Sequence, residues 1–255
     1  MLDPSKCDFK ASSVLGKTIK CTDLPSGMTT ISQAAVKAAE AIWAGYHTAD
    51  DLWRFYGMSR TANLSMGSST LLTTTCDKTG NCTQEPFGVA PNWVKNFLMK
   101  DPKADPMKLT HAQFDRFCKR SVQEWSSLIS TDDPDLGAFK EAGGKFIAWH
   151  GLDDTLIMPG GTEEYYNRVL DMDPKAADYY RFFEAPGVGH CQGGFGAFPG
   201  TSLQSLMDWV EKGVAPETLY GRTIRGAERP ICAYPKKVIY NGDGQKNDAS
   251  QFSCV

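Results

Sequence analysis

The sequence contains no long apolar segment, no basic cluster and no zinc-finger spacing. No stretch of its 255 residues approaches the roughly 18 consecutive apolar residues that a membrane-spanning helix needs. Its 27 basic and 30 acidic side chains are scattered and leave a net charge of −3, so we expect neither nucleic acid nor a membrane surface as a partner. Neither a C-x₂-C nor an H-x₃₋₅-H spacing occurs, so we expect no metal ligands in this chain. Residues 1–4 lack the basic and apolar regions of a signal peptide.

The sequence does contain an ordinary globular share of hydrophobic residues, 41%, together with eight cysteines. A chain of this length can form one large or two small domains around a hydrophobic core. Asn63 in Asn-Leu-Ser and Asn81 in Asn-Cys-Thr fit the N-glycosylation acceptor pattern. Paired cysteines beside such patterns are typical of a secreted, extracellular glycoprotein. The alternative is a cytosolic protein with eight free thiols.

The spacing of the cysteines indicates which of them close short loops. Cys76 and Cys82 flank a turn that contains Thr-Gly-Asn, and Cys232 and Cys254 close the C-terminal segment. We therefore expect two intrachain disulfides, Cys76–Cys82 and Cys232–Cys254. The pairing of two further cysteines stays open at this point: Cys21 and Cys118.

The first half of the chain has broken periodicity. A capping-box pattern that starts at Thr30 predicts a helix over residues 34–43, and two more amphipathic helices are predicted over 91–100 and 110–129. Residues 46–90 hold the glycosylation patterns and several glycines, which indicates an irregular surface excursion with short strands. We interpret residues 1–130 as part of a lid domain.

From Pro134 onward, helical and strand patterns alternate. Such alternation predicts parallel strands in a sheet that is covered on both faces, with ligand chemistry at the carboxyl ends of the strands. The predicted helices span residues 135–142, 161–171 and 202–212, and the strands span 145–149 and 179–184. The tail, residues 229–255, is predicted as one more extended segment. We interpret residues 131–255 as part of a catalytic domain.

Two side chains suited to acid–base chemistry follow these strands. Asp154 follows the first strand in Gly-Leu-Asp-Asp154-Thr-Leu-Ile, and His190 stands in Gly-Val-Gly-His190-Cys after the second. α/β-Hydrolases present the acid and base of a Ser-His-Asp triad in this way, the acid fixing the tautomer of the imidazole and stabilising its charged form. We therefore predict the α/β-hydrolase fold, in its C-terminal half, with Asp154 and His190 in the site. Asp153 is the rival acid. It is disfavoured because Asp154 lies nearer the following Leu-Ile.

The other three histidines are expected to be structural or superficial. His150 is internal to the end of the first strand and is assigned a structural role, while His47 and His111 are placed in lid helices at the surface. Alternatively, His190 is a turn histidine whose ring only forms hydrogen bonds with backbone groups. In that case the chain would be a non-catalytic secreted binding module.

The nucleophile of such a triad is absent from the sequence. The chain order in this fold is Ser, Asp, His, yet no G-x-S-x-G elbow precedes Asp154. The nearest segment, Gly67-Ser68-Ser69-Thr70, lacks the second glycine and a preceding apolar strand. We therefore expect the chain to be the C-terminal portion of a larger hydrolase whose serine lies outside these residues.

Several segments together resemble the fungal tannase and feruloyl esterase family. They are His190-Cys191, Gly151–Ile157, Leu2-Asp-Pro-Ser-Lys-Cys7, and the ending from Arg229-Pro-Ile-Cys232 to Phe252-Ser-Cys254-Val. The resemblance spans nearly the whole chain and is strong in the last half. It implies acyl-ester hydrolysis of phenolic esters, hydroxycinnamoyl or galloyl, with the ending somewhat nearer the feruloyl esterases.

The resemblance also implies connections to residues outside this chain. In the family, a cysteine before the nucleophilic serine is bonded to the cysteine that Cys191 matches, and Cys7 also matches a cysteine with a partner upstream. A calcium loop precedes the Asp3-Pro4 segment, so the ligands of a structural calcium would lie upstream as well. The implied partner is the N-terminal portion of the same precursor, linked by disulfide. Aromatic residues could wall a phenolic-ring site or simply be core: Trp53, Phe55, Tyr56, Trp93 and Phe97.

Overall fold

A computed structural model describes residues 2–21, 27–64, 71–77, 79, 81–242 and 248–255. The chain divides into two compact units. The N-terminal unit comprises Phe9–Gly57 and Leu64–Asp132, and the C-terminal unit comprises Met1–Asp8, Met58–Asn63 and Asp133–Val255. The short segments 1–8 and 58–63 therefore belong to the second unit, whereas a single boundary near residue 130 would place them in the first. In the described part of the chain, no helix has both the length and the apolar character needed to cross a bilayer.

The described residues of the N-terminal unit form short hairpins and three α-helices. Each hairpin pairs antiparallel strands that follow one another in the chain. A single π-helical turn, Val94–Leu98, continues the second helix. The elements are β1 Thr18–Lys20, β2 Met28–Thr30, α1 Gln33–Ala44, β3 Tyr46–His47, β4 Trp53–Phe55, β5 Leu72–Cys76, β6 Cys82–Pro86, α2 Val89–Trp93 and α3 His111–Ile129.

Local capping explains where the two long helices of this unit begin. Thr110 and Gln113 form the predicted capping box at the start of α3. At α1 the N-cap is Ser32, whose side chain accepts from the Ala35 N–H at 3.1 Å, so the prediction of Thr30 was wrong. Thr30 instead belongs to β2, where it pairs with Thr18.

The C-terminal unit contains one parallel strand pair flanked by helices and followed by hairpins. Its elements are α4 Gly137–Glu141, β7 Phe146–Gly151, α5 Pro159–Met172, β8 Tyr180–Ala185, α6 Ser202–Lys212, β9 Thr218–Arg222, β10 Glu228–Cys232, β11 Val238–Tyr240 and β12 Phe252–Cys254. β7 and β8 run parallel in register from Phe146 opposite Tyr180 to Gly151 opposite Ala185. The predicted alternation of helices and parallel strands is therefore confirmed.

β8 is buried on both faces, as a strand inside an α/β sheet should be. Tyr180 and Phe182 pack with Tyr166 and Val169 of α5 in one cluster. Phe183, on the other face, packs in a second cluster whose further members are Ala185, Val188, Leu219, Ile231 and Ala233. The two-residue period of a strand sends alternate side chains into these two clusters. β8 is thus the central support from which the following turn projects.

The described part of the tail forms three strands rather than one extended segment. β10 pairs with β9, and β11 pairs with β12, both antiparallel. Cys232 at the end of β10 is joined to Cys254 in β12 by a disulfide. The single-segment prediction was wrong because these pairings join residues distant in sequence. In the N-terminal unit Cys82 is also disulfide-bonded, and its cross-strand neighbour in register is Cys76, whose side chain lies outside the described part.

Removing the Cys232–Cys254 disulfide is expected to destabilise the C-terminal unit. The bridge spans 22 residues of sequence, and closing a loop of this size contributes about 3 kcal/mol, largely by restricting the unfolded chain. The double change Cys232→Ala/Cys254→Ala should therefore lower the free energy of unfolding by about that amount, measured by denaturant melts. Cys21→Ala, which removes a thiol that is free in the structure, is the matched control. Peptide mapping that joins Cys232 to another cysteine would contradict the expectation.

Candidate active site

The parallel register of β7 and β8 brings their carboxyl ends side by side. Beyond the last pair, the Leu152 N–H donates to Ala185 O at 3.0 Å and the Asp153 N–H donates to Val188 O at 2.9 Å. A Cβ on Gly151 would lie 2.3 Å from Val188 O, which no side chain tolerates. Glycine at this position lets the two connecting turns touch through their backbones. The turn that carries the acid is thus fixed against the turn that carries the histidine.

Glycines also shape the turn that carries His190. Val188 and Gly194 form an antiparallel bridge that closes the turn into a narrow loop. Gly194 has a φ of +80°, and a Cβ there would lie 2.1 Å from Gly187 O. Only glycine combines this left-handed backbone with so close an approach. The loop therefore presents His190 at its tip in a defined position.

Asp154 and His190 meet across these turns. His190 Nδ1 lies 3.0 Å from Asp154 Oδ2. The other carboxylate oxygen, Oδ1, accepts from the backbone N–H groups of Leu156 at 2.8 Å and Ile157 at 2.9 Å. The Asp154 side chain is 4% exposed and that of His190 is 39% exposed. A buried acid thus orients a histidine that solvent or a ligand can reach.

Hydrogen bonding keeps the Asp154 carboxylate ionised. Burial alone would raise its pKa, but donors on both oxygens outweigh burial and hold the pKa well below its ordinary value. In order of their effect these donors are His150, the backbone of Ile157 and Leu156, and His190. A negative charge is therefore available to stabilise a protonated His190.

Asp153, the rival acid, has a different environment. It accepts a hydrogen bond from the Thr61 hydroxyl, and burial raises its pKa in spite of that bond. It lines a cavity of about 370 Å³ in the C-terminal unit, together with Thr61, Phe195 and Arg229 among others. His190 does not line that cavity. The structure therefore brings Asp154, and not Asp153, to the histidine.

His150 belongs to the same cluster, which the sequence reasoning missed. Its Nε2 lies 3.3 Å from Asp154 Oδ2, the oxygen that also contacts His190. The spacing of four residues across a glycine turn, from His150 past Gly151 to Asp154, is the signal that could have suggested it. His150 therefore contacts the candidate acid in addition to the structural role predicted for it.

Cys191 follows His190 in a left-handed backbone conformation with a φ of 57°. Its thiol is free and exposed, and Sγ lies 3.9 Å from His190 Nε2. Cys7, Cys21 and Cys118 also carry free thiols in the structure, so Cys21 and Cys118 are not joined to each other. External partners for Cys7 and Cys191 remain predictions.

The remaining candidate residues lie in several places. His47 is in strand β3 and not in a helix, and its carbonyl oxygen contacts His111 Nε2 at 2.8 Å. Asn63 and Asn81 are exposed, as glycosylation requires. The segment Gly67–Thr70 lies outside the described residues. The aromatic candidates contact one another within two groups: Trp53 and Phe55 with Tyr56, and Trp93 with Phe97 and Trp125.

The described side chains include no cluster suited to binding a metal ion. Within the described ranges, no three His, Cys, Asp or Glu side chains are grouped so that they could hold a metal ion. The calcium that the family resemblance implies would have its ligands upstream of this chain, so it stays a prediction.

The parallel strands, the flanking helices and the acid–histidine pair at adjacent strand ends define an α/β-hydrolase fold. The fold matches that of the tannin acyl hydrolase from Aspergillus niger with a TM-score of 0.83 at 26% identity, covering 97% of this chain and 47% of that one. The family model described as tannase and feruloyl esterase matches residues 1–255. This chain belongs to the tannase and feruloyl esterase family.

Two curated relatives illustrate the range of the family. A probable feruloyl esterase from Arthroderma benhamiae is 33% identical over 262 residues, covering 98% of this chain and 47% of the relative. A mono(2-hydroxyethyl) terephthalate hydrolase from Piscinibacter sakaiensis is 35% identical over 168 residues, covering 62% of this chain and 27% of the relative. The chain thus spans about half the length of the first of these relatives, and less of the second.

Proposed function

We propose that this chain supplies the acid and the base of a secreted serine carboxylic-ester hydrolase that acts on phenolic esters. The observation that carries the proposal is the 3.0 Å contact between His190 Nδ1 and the buried, ionised Asp154. The nucleophilic serine and the oxyanion hole come from a segment outside these 255 residues, since the sequence contains no nucleophile elbow before Asp154.

In this proposal His190 moves the protons of the reaction. Nδ1 donates to Asp154, so Nε2 is the nitrogen that accepts the serine proton as the hydroxyl attacks the ester carbonyl. The ionised Asp154 stabilises the resulting imidazolium, which then protonates the departing alcohol and leaves an acyl-enzyme. Water activated by the same nitrogen releases the aromatic acid and regenerates the serine.

Cys191 links this chain to the segment that carries the serine. The family resemblance pairs Cys191 with the cysteine directly before the nucleophile. Since Cys191 Sγ lies 3.9 Å from His190 Nε2, a disulfide at this sulfur would hold the adjacent serine near that nitrogen. The proposed partner is accordingly the N-terminal portion of the same precursor, which also carries the partner of Cys7 and the calcium ligands.

Mass spectrometry tests the proposed linkage. Intact mass of the secreted protein, measured with and without reductant, is expected to reveal cysteine-linked chains. In an uncut precursor, peptide mapping without reductant is expected to find the Cys191 peptide joined to a second cysteine peptide, two hydrogen atoms lighter than the two free thiols. Peptide mapping also reports glycans at Asn63 and Asn81. A free Cys191 thiol in the active, oxidised protein would contradict the linkage.

The relatives' names support the proposed substrate class. Feruloyl, tannin and terephthalate hydrolases all cleave esters of aromatic acids. Feruloyl esters are the first choice here because of the C-terminal ending, and galloyl esters are the alternative that the tannin acyl hydrolase similarity favours. Hydrolysis of methyl ferulate, methyl gallate and a terephthalate monoester by the complete protein distinguishes them.

We expect kcat/KM for methyl ferulate to exceed that for methyl gallate by roughly tenfold or more, because a site that fits one ring substitution leaves polar groups unpaired with another. A reversed preference would make the protein a tannase. Hydrolysis no faster than that of a His190→Ala control would reject the esterase and favour the non-catalytic binding module.

A further inference from the structure

The second histidine beside Asp154 has an arrangement that a purely structural side chain does not require. Both of its ring nitrogens are engaged: Nδ1 lies 2.8 Å from Thr162 Oγ1 and Nε2 lies 3.1 Å from Ile157 O. His150 is the second-last residue of β7, and Thr162 lies in the first turns of α5. The imidazole therefore ties together the two ends of the loop that carries Asp154.

The partners of His150 place a proton on Nε2. A carbonyl oxygen can only accept, so the contact with Ile157 O requires the proton on Nε2. The Thr162 hydroxyl can then donate to the unprotonated Nδ1. The Nε2–H group thus faces both Ile157 O and, at 3.3 Å, Asp154 Oδ2. The His150 side chain is only 11% exposed, so water does not readily replace this donor.

Asp154 consequently has donors on both oxygens. Two backbone N–H groups hold Oδ1, whereas Oδ2 is shared by His150 and His190. The donor from His190 belongs to the group that reacts, whereas the donor from His150 is fixed by the loop. A fixed donor on Oδ2 restrains rotation of the carboxylate while His190 gains and loses its proton.

We propose that His150 is a positioning residue of this site, which donates Nε2–H to the Asp154 oxygen shared with His190 and so holds the carboxylate in place for the histidine. The inference rests on the proposed function of Asp154 and His190. It assigns no direct contact with substrate to His150. The other titratable groups near the pair are the Cys191 thiol beside His190 and Asp153, which bonds to Thr61.

Two amide variants separate the donor from the rest of the side chain. In His150→Gln the amide nitrogen reaches the position of Nε2, whereas in His150→Asn it reaches only the position of Nδ1. We expect His150→Asn to lower kcat roughly 10- to 100-fold with little change in KM, since small misplacement of a catalytic group has effects of this size. His150→Gln should stay within about threefold of the unchanged protein.

The pH profile supplies a readout that lost packing alone would not move. Asp154 loses in His150→Asn the donor that most lowers its pKa while its burial remains, so that pKa should rise. The acid limb of kcat reports protonation of the imidazole that accepts the serine proton. In His150→Asn the charge of Asp154 is no longer shared with a second imidazole, so the imidazolium of His190 is better stabilised and that limb should move to higher pH, whereas it should stay in place in His150→Gln. The exposed His111→Gln is the control for the substitution itself, with no change expected.

Three results would overturn the proposal: unchanged kcat and pH profile in His150→Asn, equal losses in both amide variants, or a His150 protonated on Nδ1 alone. The last is read by nitrogen NMR of histidine-labelled unchanged protein, so it needs no variant to fold. Full hydrolysis by His190→Ala would instead overturn the proposed function, whatever His150 does.

Discussion

Replacing His190 by alanine in the complete protein is expected to lower kcat/KM for a phenolic ester by roughly 10³-fold or more. Without the imidazole, no group is placed to take the serine proton. Asp154→Asn should have a loss of similar order, because an amide removes the charge that stabilises the imidazolium and can turn the ring to the wrong tautomer. Initial rates on methyl ferulate, with circular dichroism to verify folding, measure both.

Asp153→Asn is the matched control for the acid. The neighbouring carboxyl has the same chemistry and nearly the same place in the chain, but it bonds to Thr61, and burial raises its pKa. Its replacement should therefore cost far less activity than Asp154→Asn. If Asp153→Asn proved the more damaging change in a folded protein, the assignment of the acid would be wrong.

Residues 1–255 produced alone are expected to be inactive and poorly soluble. The sequence supplies no nucleophile elbow before Asp154, so His190 has no serine to activate. In the described part of the chain β7 pairs only with β8, which leaves its other edge open, and Phe146 in β7 is substantially exposed. α6 also exposes an apolar stripe at helical spacing: Leu203, Met207, Val210 and, just beyond the helix, Val214.

An open strand edge beside an apolar helix face promotes association between copies. Free thiols at Cys7 and Cys191 would add incorrect disulfides in an oxidising compartment. Co-expression with the proposed N-terminal portion should restore solubility and hydrolysis together. Size-exclusion chromatography and thermal melts test this expectation. A monodisperse, cooperatively melting preparation of the chain alone would favour the stand-alone binding module.

Much of the C-terminal unit could be predicted because its signals are local. α6 spans Ser202–Lys212, the predicted range, since its apolar spacing and the following glycine are adjacent in sequence. The ends of β7 and β8 lie within two residues of the predicted ones, because an apolar run followed by glycine or proline marks a strand end. The strand pairings of the tail escaped prediction because they join β9 to β10 and β11 to β12 through contacts that no short pattern encodes.

The sequence by itself determined the fold class, the family resemblance and the two strand ends after which the candidate acid and base stand. Only the tertiary structure decided which of two adjacent aspartates faces His190 and which bonds to Thr61. It alone brought His150 onto the same carboxylate oxygen. The physical reason is that residue type and spacing restrict the backbone locally, whereas the direction of a side chain in a turn depends on hydrogen bonds from elements distant in the chain.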